Sequence, residues 1–178
     1  MSEINLGIIG GGQLGSMLSM AAKKLDIKSI IYCDDKNAPA QNFCDEFIFG
    51  NYNEIEKILE FANKANIITY EFENIPYTTL NEISKKKPVL PDPNVNKIIQ
   101  HRLAEKDFIN KLSIRTTQYS SVEKKSDLDS LVSLLPGILK TTTLGYDGKG
   151  QYPLKELKDI DSLNIDFSKG YIIEKLIK

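Results

Sequence analysis

The stretch that decides the fold lies close to the N-terminus and reads INLGIIGGGQLG over residues 4–15. Its first half, Ile4 to Ile9, is a nearly continuous apolar run, which is typical of a strand buried on both faces of a sheet. The run breaks into consecutive glycines, and from Gln13 onward apolar residues recur at the spacing of one helix face. The residues of that face are Leu14, Met17, Leu18, Ala22 and Leu25. The segment therefore predicts a buried strand, a glycine turn and an amphipathic helix.

The same alternation of strands and helices continues along the chain. Ser29 to Cys33 has the composition of a second strand, so the first helix is predicted to cross over between two parallel strands. Asn53 and Thr79 each stand three residues before a glutamate, which predicts a capped helix start at both places. Asn66 to Tyr70 is the next predicted strand. This pattern predicts an α/β fold with an open, doubly wound parallel sheet.

Prolines interrupt the alternation at residues 88, 91 and 93, and a strongly periodic stretch follows that predicts one long helix ending near residue 112. We place a domain boundary near residue 113, which gives a first domain over residues 1–113 and a second over residues 114–178. The second domain is predicted to contain a helix over residues 126–135 capped by Ser126. Its predicted strands are Thr116–Ser121, Gly137–Thr142 and Gly170–Lys175.

Composition argues against several classes of partner and location. The 178 residues include 23 basic and 24 acidic side chains, and the formal net charge of −1 gives no global attraction to nucleic acid or acidic membranes. Cys33 and Cys44 are too few for a disulfide framework and lack the spacing of a metal site. No signal segment and no apolar run long enough for a membrane span is visible. We expect a cytoplasmic protein without nucleic-acid or membrane partners.

The first motif that carries chemistry is the glycine turn, in which Gly10, Gly12 and Gly15 satisfy the pattern G-x-G-x-x-G. Glycine lets the backbone approach a phosphate, and the start of the following helix offers unpaired N–H groups and the positive end of a dipole. Asp34 and Asp35 follow at the distance where a dinucleotide-binding fold places its ribose-binding acid. Taken alone, the pattern favours NAD, and a tight turn that binds no ligand is the main alternative.

The second motif is Lys140 followed by the loop Gly145-Tyr146-Asp147-Gly148-Lys149-Gly150-Gln151. Three glycines with a lysine make a loop that can fold over phosphates, although the spacing is not that of a Walker A loop. Asp147-Gly148 is also a strong turn signal between two strand-like runs. A plain hairpin and a nucleotide-binding lid therefore both remain open, and a lid built as a hairpin satisfies both.

Two further groups of polar residues give weaker signals. His101 is the only histidine, and no serine motif accompanies it, so we interpret it as a surface or helix-packing residue and not as part of a triad. Glu71 and Glu73 alternate near a predicted strand end, but a glycosidase would need both carboxylates to converge on one bond. No catalytic residue is assigned from these patterns.

Five short segments form a set that is specific when taken together. They are Gly10–Gly15 (GGGQLG), Asn37–Ala40 (NAPA), Tyr70–Pro76 (YEFENIP), Arg102–Lys106 (RLAEK) and Gly145–Gln151 (GYDGKGQ). In this order and over the whole chain they resemble the N5-carboxyaminoimidazole ribonucleotide synthase family of ATP-grasp ligases. The resemblance implies a pre-ATP-grasp domain followed by an incomplete ATP-grasp lid domain, with the last family domain absent from these residues.

The family resemblance also implies an activity. Members carboxylate 5-aminoimidazole ribonucleotide with bicarbonate and ATP, giving N5-carboxyaminoimidazole ribonucleotide, ADP and phosphate in purine biosynthesis. ATP and Mg²⁺ are the implied cofactors, and we expect the metal ligands after residue 178, so none is assigned here. Relatives also imply a homodimer. Residues 1–178 alone are expected to be inactive.

The family's binding residues map onto named positions of this chain. Arg102, Lys140 and the loop from Gly145 to Gln151 resemble its ATP contacts, and Glu174-Lys175-Leu176-Ile177 resembles the hinge whose backbone reads adenine. The segment Gly11-Gly12-Gln13-Leu14 resembles the part that receives the ribonucleotide, with Glu73 as a weaker candidate beside it. Many relatives carry arginine two residues after the lysine, where this chain has Thr142.

Two other functions fit part of the same pattern. A sister ATP-grasp enzyme, such as the formate-dependent glycinamide ribonucleotide transformylase, would share the domain order but carries Gly-Glu-Leu-Gly where this chain has residues 12–15. A non-catalytic NAD-binding regulatory domain would need only the glycine fingerprint and Asp34. Binding of ATP and of NAD distinguishes these alternatives.

Overall fold

The computed structural model describes residues 4–145 and 149–177. The chain divides into two compact units, Met1–Lys97 and Ile98–Lys178. The first unit contains a parallel sheet, its helices and a 3-10 turn at Pro39–Asn42. Its elements are β1 (Asn5–Ile9), α1 (Gln13–Lys24), β2 (Lys28–Cys33), β3 (Glu46–Phe49), α2 (Ile55–Lys64), β4 (Ile67–Tyr70) and α3 (Tyr77–Ser84).

The four strands of the first unit are hydrogen-bonded in the order β3-β2-β1-β4, and every neighbouring pair is parallel. Consecutive residues of a strand point to opposite faces of a sheet, and both faces of this sheet are buried. Ile9 packs into a core on one side with residues of α2 and α3, such as Phe61 and Leu80. Its neighbour Ile8 packs on the other side with Ala40 of the 3-10 turn. The predicted doubly wound parallel sheet is confirmed.

The second unit is built on an antiparallel sheet with strand order β5-β8-β6-β7. One face of this sheet carries a core that includes Leu139, Ile173 and Tyr171, together with Leu128 from a 3-10 helix. The elements are α5 (Arg102–Lys111), β5 (Tyr119–Val122), β6 (Gly137–Thr141), β7 (Gln151–Leu154), α6 (Leu157–Asp161) and β8 (Tyr171–Lys175), with 3-10 helices at Lys125–Ser130, Val132–Leu134 and Phe167–Lys169. This α+β unit agrees with the predicted partial lid domain.

The predicted single long helix is wrong, because two helices occupy that stretch. The chain forms α4 (Pro93–Ile99), breaks, and begins α5 at Arg102. His101 caps the second helix, since its Nδ1 accepts a hydrogen bond from the backbone N–H of Ala104 at 3.4 Å. Backbone and side-chain bonds of Arg102 reach residues 141–145, so α5 belongs with the second unit. The division by contacts therefore falls before α5, whereas the predicted boundary near residue 113 falls after it.

Three predicted helix caps are also wrong. Asn53 lies before the cap position of α2, which is Glu54, and Glu54 accepts from the backbone N–H of Asn51 instead. Thr79 lies inside α3, where its hydroxyl donates to the carbonyl oxygen of Tyr52 at 2.8 Å. The predicted helix over residues 126–135 consists of two 3-10 helices, and Asp127 supplies the capping carboxylate in place of Ser126.

Helix α1 packs on a different face from the one predicted, and Ala22 is the one predicted inner residue that is buried. Gly15, Ser16, Ser19 and Ala22 are its buried residues. The predicted inner residues Leu14, Met17 and Leu18 are instead exposed, as is Leu25 after the helix end. Small side chains let the helix backbone approach the sheet closely, and this close approach takes precedence over burial of the larger apolar residues.

Within residues 4–145 and 149–177, no helix is long and apolar enough to cross a membrane.

Candidate functional site

A cleft of about 240 Å³ opens at the carboxyl ends of three parallel strands of the first unit. Ligands of open α/β sheets bind at this edge, where strands end and loops begin. The lining residues come from the loops after β1, β2 and β4, with Tyr52 added from the segment before α2. They are Gly10, Gly11, Gly12, Cys33, Asp34, Asp35, Ala38, Pro39, Tyr52, Glu71 and Phe72.

The glycine turn is held by the carboxylate of Glu71. The backbone N–H of Gly12 donates to Glu71 Oε1 at 2.9 Å, so one of the N–H groups available to an anion already has an anionic partner. Gly10 has φ of 109°, and a Cβ there would lie 2.8 Å from the same carboxylate oxygen. A Cβ on Gly15 would lie 2.7 Å from the carbonyl oxygen of Gly10, which explains the third glycine of the motif. The turn is therefore shaped for close backbone contact.

The charge of this cleft is negative. Asp34, Asp35 and Glu71 line it, and its described lining includes no lysine or arginine. Burial raises the pKa of the Tyr52 phenol, whose O–H donates to Cys33 Sγ at 3.7 Å, so Tyr52 remains a neutral donor at physiological pH. Carboxylates suit the hydroxyl groups of a ribose, whereas a phosphate here would depend on backbone N–H groups and the start of α1.

The structure brings only part of the predicted ribonucleotide segment to the cleft. Gly11 and Gly12 line it, but Gln13 and Leu14 are exposed on α1 and are not among the lining residues. The predicted Glu73 does not line it either, and Glu71 does. Glu71 is the first residue after β4, as Gly10 is the first residue after β1. Because the carboxyl ends of parallel strands meet at one edge of the sheet, this position could have identified Glu71 from the sequence.

In the second unit, Lys140 and Glu174 meet on one face of the antiparallel sheet. In the pairing of β6 with β8, Lys140 lies opposite Ile172 and Glu174 lies opposite Ile138, which places both charged side chains on the same face. Lys140 Nζ donates to Glu174 Oε2 at 3.0 Å. The alternating residues Leu139 and Ile173 point into the core on the other face. Lys140, which is predicted to contact ATP, therefore points away from the core.

Arg102 binds the base of the predicted loop. Its guanidinium donates to the carbonyl oxygens of Thr141, Leu144 and Gly145, and its backbone N–H donates to the carbonyl oxygen of Thr142 at 2.8 Å. Thr142, which stands where many relatives have arginine, is buried, and its own N–H donates to the carbonyl oxygen of Gly170 at 3.1 Å. The side chain predicted to contact ATP therefore fixes the backbone from which the loop starts.

The ends of the loop form the hairpin that the sequence indicated. β6 and β7 pair antiparallel, and the N–H of Thr141 donates to the carbonyl oxygen of Gly150 at 3.0 Å. Gly145 and Gly150 have φ of 78° and 66°, a region that favours glycine. Lys149 and Gln151 are exposed. The predicted contacts Tyr146, Asp147 and Gly148 lie outside the described residues.

The predicted hinge begins at the end of β8. Lys175 donates its N–H to the carbonyl oxygen of Gln118 at 2.8 Å and accepts from the Thr117 hydroxyl at 2.6 Å. Leu176 donates its N–H to the carbonyl oxygen of Pro136 at 2.9 Å, and Ile177 is 75% exposed. The backbone up to Leu176 is thus held by neighbouring strands and loops.

The described part of the chain contains no group of three or more histidine, cysteine, aspartate or glutamate side chains that could hold a metal ion. Mg²⁺ bound together with a nucleotide usually takes one or two protein carboxylates, and none of the described carboxylates is assigned to it.

These two sites define the class of protein. A family model for the ribonucleotide synthetase preATP-grasp domain matches residues 1–100, and an ATP-grasp domain model matches residues 107–178. The chain therefore belongs to the ribonucleotide synthetase preATP-grasp family, and its second match is to the ATP-grasp domain.

Relatives narrow the assignment within this class. The chain is 38% identical over 161 residues to N5-carboxyaminoimidazole ribonucleotide synthase of Brucella melitensis, which covers 89% of the chain and 44% of that protein. It is 36% identical over 179 residues to the enzyme of the same name from Aquifex aeolicus, covering 98% and 47%. The crystal structure of N5-carboxyaminoimidazole synthetase from Staphylococcus aureus complexed with ADP matches with a TM-score of 0.90 at 30% identity, covering 98% and 48%. The predicted family resemblance is confirmed, and the chain spans about half the length of these relatives.

Proposed function

We propose that this chain supplies the ribonucleotide-binding domain and the first part of the ATP-binding domain of an N5-carboxyaminoimidazole ribonucleotide synthase. Such an enzyme transfers the terminal phosphoryl group of ATP to bicarbonate, releasing ADP. The amine of 5-aminoimidazole ribonucleotide then attacks the carboxyl carbon, phosphate leaves, and the amine loses a proton. The products are ADP, phosphate and the N5-carboxylated ribonucleotide. As an enzyme of purine biosynthesis the protein is expected in the cytoplasm.

One observation carries this proposal. The same chain combines a glycine turn at the carboxyl edge of a parallel sheet with a lysine and glycine-rich hairpin on an antiparallel sheet. The first feature suits a ribonucleotide, and the second suits the phosphates of ATP. The S. aureus relative, which has the same fold over 98% of this chain, was crystallised with ADP.

The chemistry assigned to this chain is positioning and charge stabilisation. Lys140 would interact with phosphate oxygens as a point charge, and the loop anchored by Arg102 would cover them. No protein nucleophile is needed, since the carboxyl group passes through a small activated intermediate. Mg²⁺ would be held by carboxylates outside the described residues, and no step is assigned to this chain through the metal.

A second candidate function is favoured by one feature of the cleft. Asp34 and Asp35 line it, and an acid at this position binds the ribose of NAD in dinucleotide folds. Calorimetric titration of the chain with 5-aminoimidazole ribonucleotide and, separately, with NAD distinguishes the two ligands. We expect heat of binding with the ribonucleotide only. Micromolar NAD binding without ribonucleotide binding would contradict the proposed substrate.

The activity itself is tested on the full-length product of the gene. We expect ADP release that requires both 5-aminoimidazole ribonucleotide and bicarbonate. Release that depends instead on formate and glycinamide ribonucleotide would identify the sister transformylase.

Self-association of the full-length protein is part of this proposal, and α1 offers a surface for it. Leu14 and Met17 are 55% and 53% exposed and lie one turn apart on the same face of α1, where they form a small apolar patch. We expect light scattering to give a dimer for the full-length protein and a smaller mass for the Met17→Glu variant. A monomeric wild-type protein would remove the dimer from the proposal.

A further inference from the structure

A cluster of three charged side chains lies on the face of the antiparallel sheet that carries Lys140. Glu174 is at its centre, and each of its carboxylate oxygens faces a different lysine. Oε2 accepts from Lys140 Nζ at 3.0 Å, and Oε1 lies 3.5 Å from Lys106 Nζ. Their side chains are only 12%, 21% and 16% exposed for Glu174, Lys140 and Lys106. We call these three residues the lysine–glutamate cluster.

The limited exposure distinguishes this cluster from ordinary surface ion pairs. Exposed pairs contribute little because water and salt screen them, whereas a partly buried charge must be compensated by its neighbours. If Lys140 were the only lysine beside Glu174, the carboxylate of Glu174 would cancel the charge that Lys140 offers to a phosphate. The second lysine shares the carboxylate, so the lysine–glutamate cluster carries two positive charges and one negative charge.

Lys106 is itself held in place from the side of β5. Its ammonium lies 5.5 Å from the centre of the Tyr119 ring, a distance that allows a cation–π interaction. The Tyr119 hydroxyl donates to Asp107 Oδ1 at 2.8 Å and accepts from Asn110 Nδ2 at 2.9 Å, so α5 fixes the ring from both sides. The contacts thus run from α5 through Glu174 on β8 to Lys140 on β6.

We propose that Lys106 is a positioning residue for ATP binding. It acts through Glu174 to hold the Lys140 ammonium in place. This inference rests on the proposed function, in which Lys140 contacts the phosphates. In this role the side chain of Lys106 does not need to touch the nucleotide.

The test is a double-mutant cycle on the full-length gene product, with the ATP dissociation constant measured by calorimetry in the absence of the other substrates. Lys106→Met is expected to weaken ATP binding about 3- to 30-fold, which lies within the range of coupling between residues of one charged network. In the Lys140→Met background, the same change should have a much smaller effect, because the ammonium that Lys106 positions through Glu174 is gone. Lys106→Arg should retain most of the affinity. Lys111→Met, on the exposed end of the same helix, is the matched control.

Glu174→Gln separates positioning from simple charge. Removing a negative charge beside a phosphate site would by itself tighten ATP binding, whereas loss of the central carboxylate should leave two lysines repelling each other and weaken it. We expect weaker binding with an unchanged circular dichroism spectrum. This variant also decides the question if Lys106→Met fails to fold.

Three results would overturn the inference while leaving the proposed function intact. They are tighter binding by Glu174→Gln, an equal loss from Lys106→Met with and without Lys140, and no loss from Lys106→Met at all. A wild-type protein that does not bind ATP would instead refute the proposed function, and the role of Lys106 with it.

Discussion

Gly12 and Gly15 of the first turn have different surroundings, so a side chain at each position would have a different effect. A Cβ on Gly15 would lie 2.7 Å from a backbone carbonyl oxygen that cannot move aside easily. A Cβ on Gly12 would lie 3.3 Å from the end of the Glu71 side chain, which can give way by a few tenths of an ångström. Gly15 is therefore required where α1 packs against the turn at Gly10, whereas Gly12 lines the cleft.

This difference predicts opposite outcomes for two similar substitutions. Gly15→Ala should destabilise the protein by about 1–3 kcal/mol, the usual cost of overpacking. Gly12→Ala should fold nearly as well as the wild type but raise the KM for 5-aminoimidazole ribonucleotide more than the KM for ATP. Urea unfolding of the two variants and steady-state kinetics of the full-length protein provide the measurements. A Gly12 variant with equally raised KM values would show that the turn does not recognise the ribonucleotide.

Lys140 gives the second prediction at this scale. In the full-length protein, Lys140→Met removes a charge-assisted contact with phosphate, which should cost about 1.5–3 kcal/mol, or about 10- to 150-fold in ATP binding. Its aliphatic stem is kept, so the circular dichroism spectrum should not change. Lys155→Met, at an exposed position after β7, is the control and should bind ATP normally. Unchanged ATP binding by Lys140→Met would assign this lysine a structural role through Glu174 only.

The sequence predicts the glycine turn and the strand that carries Lys140, but not the residues that contact them. The glycine turn follows from an apolar run that ends in glycines, because this pattern is local. The carboxylate that binds the N–H of Gly12 belongs to Glu71, whereas the sequence singles out Glu73. Glu71 is at this place because it is the first residue after β4. The sequence gives Lys106 no role beyond its place in a motif, because its ion pair with Glu174 joins residues far apart in the sequence.

At the scale of elements, α1 shows why periodicity alone can choose the wrong face. Its apolar residues follow helical spacing, so they were predicted to be inside. The structure buries a stripe of small residues, because Gly15 must approach Gly10 for the turn to form. Helix α5 is a related case, since Arg102 starts it by binding residues 141–145. Neither contact is encoded within the helix itself.

The 3-10 helix at Lys125–Ser130 offers a test of pH dependence. Hydrogen bonds from the backbone N–H groups of Glu123 and Lys124 lower the pKa of Asp127. The carboxylate therefore stabilises the fold above the ordinary aspartate pKa, and this contribution is lost as the pH falls through the lowered value. Asp127→Ala should lower the melting temperature at pH 7, and the difference from the wild type should shrink toward zero in strong acid.

Asp129→Ala is the matched control for this cap. Asp129 is exposed in the same 3-10 helix. Its replacement should leave the melting temperature almost unchanged at both pH values. A pH-independent loss for Asp127→Ala would mean that the side chain stabilises this segment by something other than its charge.

For the whole molecule, fold class and order of units were predictable because strand–helix alternation and the paired motifs are properties of long stretches. The position of the division was harder to predict, since nothing in the periodic segment after Pro93 indicates that the chain breaks before Arg102. The comparisons agree with the order of units, with one family model ending at residue 100 and the next beginning at residue 107.

The same scale gives the last prediction, which concerns catalysis by residues 1–178 as a separate polypeptide. Mg²⁺ bound to ATP usually needs protein carboxylates as well as phosphate oxygens. The described residues contain no group of three or more histidine, cysteine, aspartate or glutamate side chains that could hold a metal ion. The relatives that carry the proposed activity are about twice as long as this chain. We therefore expect the purified 178-residue polypeptide to bind 5-aminoimidazole ribonucleotide without releasing ADP, while the full-length gene product turns over under the same conditions. Calorimetry with the ribonucleotide shows that the polypeptide is folded and competent, so missing turnover cannot be attributed to misfolding. ADP release by the polypeptide that depends on both the ribonucleotide and bicarbonate would mean that its own residues suffice for catalysis.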